Sequence, residues 1–123
     1  VRTLCADCKR PYRSDAAEIR QIQAYYGADY VGELEVDWDN LTLFRAEGCE
    51  KCHGSGYRGR IAIHELLPAS PELIDAVYHG ETSATQLFKI GQKTGMRTLM
   101  QDGIAKMLQG HIDFTQLRKV VVT

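Results

Sequence analysis

Apolar positions along this chain follow two rhythms, mostly alternating before Pro68 and helical after it. Leu41, Leu43 and the Phe44-Arg45-Ala46 run predict a short strand. Tyr57 to Leu66 predicts a second, with Ile61, Ile63 and Glu65 alternating against Ala62 and His64. One early segment breaks the alternation: Ser14 as a capping residue, then Ile19, Ile22 and Tyr26 at helical spacing, then Gly27, predict a helix. After Pro68, Ser70-Pro71 starts a helix with the stripe Leu73, Ile74 and Val77, which Gly80 ends. Ser83 with Gln86 forms a capping box ahead of Leu87 and Ile90. Beyond Gly95 come Leu99, Ile104, Met107 and Leu108 up to Gly110, and Asp113 with Gln116 opens a last helix carrying Leu117, Val120 and Val121. These four helices are expected to pack as one bundle, with Met96, Met100 and Met107 filling its gaps. The expected fold class is α+β: a β-hairpin and helix lobe over 1–67, then a four-helix, mostly α lobe over 68–123.

Chemistry enters with four cysteines, placed as Cys5-x-x-Cys8 and Cys49-x-x-Cys52. A two-residue gap lets both sulfurs of a turn point at one ion, and two such turns complete a tetrahedron, so Cys5, Cys8, Cys49 and Cys52 are predicted to bind zinc. A site closed by four thiolates has no open position for substrate, which makes the metal structural and predicts that it staples the hairpin around the second turn. Gly48, Gly54, Gly56 and Gly59 bracket that turn, and Lys9, Arg10, Arg45, Lys51 and His53 lie near enough in sequence to offset the thiolate charge. Two disulfides or a redox Cys-x-x-Cys are the competing readings; the first needs an oxidising compartment and the second normally occurs once, beside a βαβ unit. A nucleophilic Cys49 activated by His53 or His64 is a further, weaker reading.

Composition narrows the partners. The 123 residues carry a formal charge of −1 with a pI near 6.5, which argues against groove-tracking nucleic-acid binding and against attraction to anionic lipid. No apolar run reaches the length of a membrane span, and the opening Val-Arg-Thr-Leu-Cys has neither signal-peptide character nor an initiating methionine, so the expectation is a cytosolic piece of a longer protein. Between Arg20 and Arg45 there is no lysine or arginine, while Asp29, Glu33, Glu35, Asp37 and Asp39 gather around Trp38. This 29–39 segment reads as a solvated loop with Trp38 turned inward, or as a docking surface for a basic partner. Gly54 to Arg60 has glycines at phosphate-loop spacing but lacks the lysine and the following hydroxyl, and His64-Glu65-Leu66-Leu67-Pro68 lacks the second histidine of a zincin. Arg58 and Arg60 could fork onto a carboxylate or phosphate, although a supporting role beside the thiolates is the stronger reading.

Taken together, Cys5-x-x-Cys8-Lys-x-Pro-Tyr, Gly48-Cys49-x-x-Cys52-x-Gly-x-Gly56-Tyr57-Arg-Gly59-Arg60-x-x-Ile63-x-Glu65-Leu66-Leu67 and Gly95-Met96-x-Thr98-Leu99-x-x-Asp102-Gly103-x-x-Lys106-x-x-x-Gly110 resemble the C-terminal part of the type II secretion and type IV pilus assembly ATPases. The resemblance covers essentially the whole chain, apart from the middle of the 40 residues between the cysteine pairs. It implies a tetracysteine zinc subdomain and helical lobe within a homohexameric bacterial motor. ATP and Mg2+ would be handled by an upstream RecA-like domain, so this stretch would be non-catalytic. It further implies a place in the bacterial cytoplasm against the inner membrane, with a membrane platform protein and a cytoplasmic adaptor as partners and no nucleic acid. The tetracysteine insertion favours the extension or secretion branch over pilus retraction. A chaperone-type zinc module is the alternative, since Cys49 to Gly56 fits a Cys-x-x-Cys-x-Gly-x-Gly unit, but those modules repeat the unit. A nucleic-acid-binding zinc ribbon is the third class, disfavoured by the charge.

Overall fold

The first cysteine turn is flanked by strands β1 (Arg2–Leu4) and β2 (Arg10–Arg13), and the second by β3 (Thr42–Arg45) and β4 (Tyr57–Arg60), in a computed structural model that describes residues 1–121. β1 pairs antiparallel with β4, and β2 with β3 in the register Arg10 to Arg45 and Arg13 to Thr42. Each cysteine turn therefore carries the chain from one two-stranded sheet to the other. The hairpin expected around the second turn does not form, because β3 and β4 take their hydrogen bonds from different strands. β4 stops at Arg60, but Ile61 still exchanges both backbone hydrogen bonds with Val1, at 2.9 and 3.1 Å, and Ile61 and Ile63 keep the alternating burial.

Helix α1 (Ala16–Tyr26) lies between β2 and β3. Asp15, not Ser14, is its N-cap, accepting from the Glu18 N–H, while the Ser14 hydroxyl donates to the Glu18 carboxylate at 2.6 Å. The acidic segment that follows contains two short 3-10 turns, Val31–Glu33 and Trp38–Asn40. Its acidic side chains face solvent and Trp38 packs inward, in line with a solvated loop. Helices α2 (Pro71–Tyr78), α3 (Ala84–Lys93), α4 (Leu99–Leu108) and α5 (Phe114–Val120) complete five α-helices and two small sheets among the described residues. Ser70, Ser83 and Asp113 cap α2, α3 and α5 as their sequence positions predict.

The chain divides into two compact units, Val1–Ile63 with the segment from Met100 onward, and His64–Leu99. This differs from a boundary near residue 67 followed by a single bundle. The first unit is built on Ile22 and Tyr26 of α1, Leu41 and Leu43 beside and within β3, Met100, Ile104 and Met107 of α4, Ile112, and Leu117 of α5. α4 crosses α5 so closely that a Cβ at Gly103 would lie 2.2 Å from a Leu117 methyl, and the Gln101 amide donates to the Tyr26 carbonyl. Helical periodicity specifies which face of α4 and α5 is apolar but not what covers it, and here the cover comes from α1 and β3. The three methionines are buried as gap-filling core, Met96 in the second unit and Met100 and Met107 in the first. In the second unit α2 packs on α3, and Gly91 lets Leu67 and Met96 approach the helix backbone.

Candidate metal centre

The four sulfurs meet where the two sheets join. Cys5 and Cys8 lie on a turn in which the Cys8 and Lys9 N–H groups both donate to the Cys5 carbonyl. Cys49 and Cys52 lie on a matching turn closed by donation from Gly54 N–H to the Cys49 carbonyl at 2.8 Å, and Cys5 N–H donates to the Gly56 carbonyl across the pair of turns. The sulfur atoms lie within 4.8 Å of one another, with Cys5 to Cys49 and Cys8 to Cys52 at 3.8 Å and Cys49 to Cys52 at 3.7 Å. All four cysteines are unbridged. A tetrahedral ion with metal–sulfur bonds of about 2.3 Å, the length typical of zinc thiolates, needs sulfur–sulfur edges of about 3.8 Å. Those three of the six edges fit that requirement and the other three lie within 4.8 Å, so this group could hold a metal ion.

Backbone conformation at the second turn serves the sulfurs. Gly48 N–H donates to the Cys8 sulfur at 3.3 Å, while Cys49 N–H and Gly56 N–H donate to the Cys52 sulfur, each at 3.2 Å. Gly48 and Gly56 have φ of 118° and 83°, and an added Cβ would meet the Gly54 carbonyl oxygen at 2.7 Å or the Ala46 methyl at 2.6 Å. Burial pushes the Cys52 thiol up, yet the Cys49 and Gly56 N–H donors outweigh it and bring it down to about 6. Cys8 moves the other way: the Gly48 N–H draws it down, but burial and the sulfurs of Cys49, Cys5 and Cys52 push it up to about 12. One thiolate is thus accommodated by backbone donors while neighbouring sulfurs resist a second negative charge, and a divalent cation relieves that conflict.

The nearby cations act elsewhere. Lys9 donates to the Gly110 carbonyl at 2.9 Å and covers the Phe44 ring, Arg10 pairs with Glu47, and Arg45 lies over Tyr12. Lys51 and Arg58 approach Asp7, inside the first turn, at 3.5 and 4.0 Å, both as largely exposed pairs. His53 is exposed, adopts φ of 55°, and does not belong to the sulfur cluster; His64 is likewise outside it. Glu65 of the zincin-like run accepts from the Leu99 N–H. The N–H to sulfur bonds escape sequence reasoning because they depend on the turn geometry; glycines at 48 and 56 are their visible trace.

Structure around the cluster ties it to the core of its own unit. Leu4 N–H donates to the His111 carbonyl, and the Tyr57 hydroxyl donates to Asp113, the N-cap of α5. No helix of the described residues is long and apolar enough to cross a membrane.

Residues 1–119 match the family described as Type II/IV secretion system protein. The chain is 38% identical over 110 residues to the type IV pilus assembly ATPase PilB of Thermus thermophilus, covering 89% of this chain and 11% of that protein. It is 35% identical over 120 residues to type II secretion system protein E of Dickeya dadantii, covering 98% of this chain and 21% of the relative. With the PilB ATPase of Myxococcus xanthus it shares 34% over 121 residues, 98% of this chain and 19% of that one. The chain thus spans between 11% and 21% of the length of these curated relatives. Because the match runs from residue 1 into α5, the chain belongs to the Type II/IV secretion system protein family.

Proposed function

We propose that this chain is the zinc-binding, non-catalytic portion of a homohexameric ATPase that powers type II secretion or type IV pilus assembly, where it couples the motor to the machinery it drives. The observation that carries the reading is the set of four sulfurs at tetrahedral spacing inside a chain of this family. Zinc on Cys5, Cys8, Cys49 and Cys52 would supply a rigid cross-link and compensate the thiolate charge. Around it, the backbone donors of Gly48, Cys49 and Gly56 orient the sulfurs, and the β1–β4 and β2–β3 sheets hold the two turns together. ATP and Mg2+ belong, in this reading, to a RecA-like domain outside these 123 residues, since the relatives are named as ATPases and the glycine-rich run at 54–60 lacks a phosphate-binding lysine. Neighbouring subunits, an inner-membrane platform and a cytoplasmic adaptor are the proposed partners, at the cytoplasmic face of the inner membrane.

The test is paired serine substitution of Cys49 and Cys52 in a full-length ATPase carrying this sequence. The expected result is loss of secretion or pilus assembly while the purified hexamer still hydrolyses ATP. Transport at the unsubstituted level would overturn the proposal, and loss of ATP hydrolysis from an intact hexamer would contradict the non-catalytic assignment.

A further inference from the structure

The two cysteine turns are held in different ways. The second is held largely from within: Gly54 N–H donates to the Cys49 carbonyl, the Ser55 N–H and hydroxyl donate to the Cys52 carbonyl at 3.2 and 2.8 Å, and the Cys52 sulfur accepts two N–H groups of its own loop. The first, Cys5-Ala6-Asp7-Cys8, has no glycine, and its internal backbone bonds are those from the Cys8 and Lys9 N–H groups to the Cys5 carbonyl. Two further bonds, one from each end of that turn, run to successive carbonyls of the corner between α4 and α5. Leu4, just before Cys5, donates its N–H to His111, and Lys9, just after Cys8, donates its ammonium to Gly110, both at 2.9 Å.

That corner is a fixed point. The Gly110 and His111 N–H groups donate back to the Met107 and Lys106 carbonyls, which closes α4 with Gly110 at φ of 87°, and the next residue, Ile112, is fully buried. The half-buried Lys9 places its ammonium 4.6 Å from the centre of the Phe44 ring, and a Cβ at Gly110 would lie 3.0 Å from that ring and 3.4 Å from the ammonium. A lysine that compensated thiolate charge would face the sulfurs, whereas this one is turned to a neutral carbonyl and an aromatic face. We propose that Lys9 is a positioning residue for the metal centre: by clamping the first cysteine turn to the α4–α5 corner, it holds Cys5 and Cys8 at bonding distance from the ion. This role rests on the reading that zinc is held by the four cysteines.

The test is iodoacetamide labelling of the zinc-loaded chain, with each cysteine followed separately by peptide mass spectrometry. Lys9→Met keeps an unbranched stem and removes the donor, so Cys5 and Cys8 are expected to label about tenfold faster relative to Cys49 and Cys52. Lys9→Arg retains a cationic donor and is expected to stay near the unsubstituted pattern. Gly110→Ala changes no charge but crowds the Phe44 ring and the ammonium, and is expected to reproduce the imbalance. Equal acceleration at all four cysteines would mean that the variants only destabilise the unit, and would overturn the proposal, as would labelling that Lys9→Met leaves unchanged. An imbalance in Lys9→Met but none in Gly110→Ala would assign Lys9 to charge compensation and would also overturn it. Metal content of the unsubstituted chain is read beforehand: a chain that takes up no zinc overturns the zinc reading itself, and the clamp with it.

Discussion

Asp113 has two partners: it caps α5 by accepting from the Gln116 N–H at 2.9 Å, and it accepts the Tyr57 hydroxyl from the strand that leaves the cysteine cluster. Replacing it with alanine removes a cap and leaves a half-buried phenol without its acceptor, an expected loss of about 1–3 kcal/mol in urea unfolding. Tyr12 makes the corresponding bond on the other sheet, donating to both oxygens of Glu18 at 3.0 Å. Burial and the Glu18 carboxylate raise its hydroxyl to about 12, against about 10 for an unfolded tyrosine. The folded state favours the neutral phenol, so this contribution is fully present below about pH 10 and is lost as pH rises toward 12. Tyr12→Phe is expected to flatten that part of the stability-against-pH curve, measured by denaturant midpoints across the range. At Gly56 even alanine would meet Ala46 and pull the Gly56 N–H from the Cys52 sulfur, so Gly56→Ala is expected to release bound metal at a lower chelator concentration.

The helices α1 to α5 were legible in the sequence because caps and stops are local chemistry: Ser70, Ser83 and Asp113 each accept from the backbone N–H three residues on. The cysteine pairs were legible for the same reason, since Cys-x-x-Cys is one turn. Strand partners were not. Whether β4 pairs with β3 or with β1 depends on contacts more than fifty residues apart, and nothing in the alternation of Tyr57 to Ile63 distinguishes them. The covers of the helices were illegible too: Leu117 of α5 is fully buried against the α1 and β3 core, whereas Ile74 and Val77, equally regular in their spacing, face water. Leu117→Ala is accordingly expected to cost about 2–5 kcal/mol in the unit that contains the cysteines, while Ile74→Ala should stay within about 0.5 kcal/mol of the original stability. Thermal or urea unfolding of the two variants checks the contrast.

At the scale of the molecule, the cysteine turns, both sheets, α1, α4 and α5 form one unit, and His64–Leu99 another. Chelation is therefore expected to remove hydrogen-exchange protection from α4 and α5 together with β1 to β4, leaving that of α2 and α3 in place. Retained protection in α4 and α5 would instead indicate that they fold with the helices before them. All of this rests on four sulfurs spaced for one tetrahedral ion. The most direct measurement is metal content per chain by mass spectrometry of the purified protein, with free thiols counted before and after chelation. One zinc per chain, with four thiols that react only once the metal is removed, is the predicted result. A metal-free chain with the same fold, or two disulfides in place of four thiols, would contradict it.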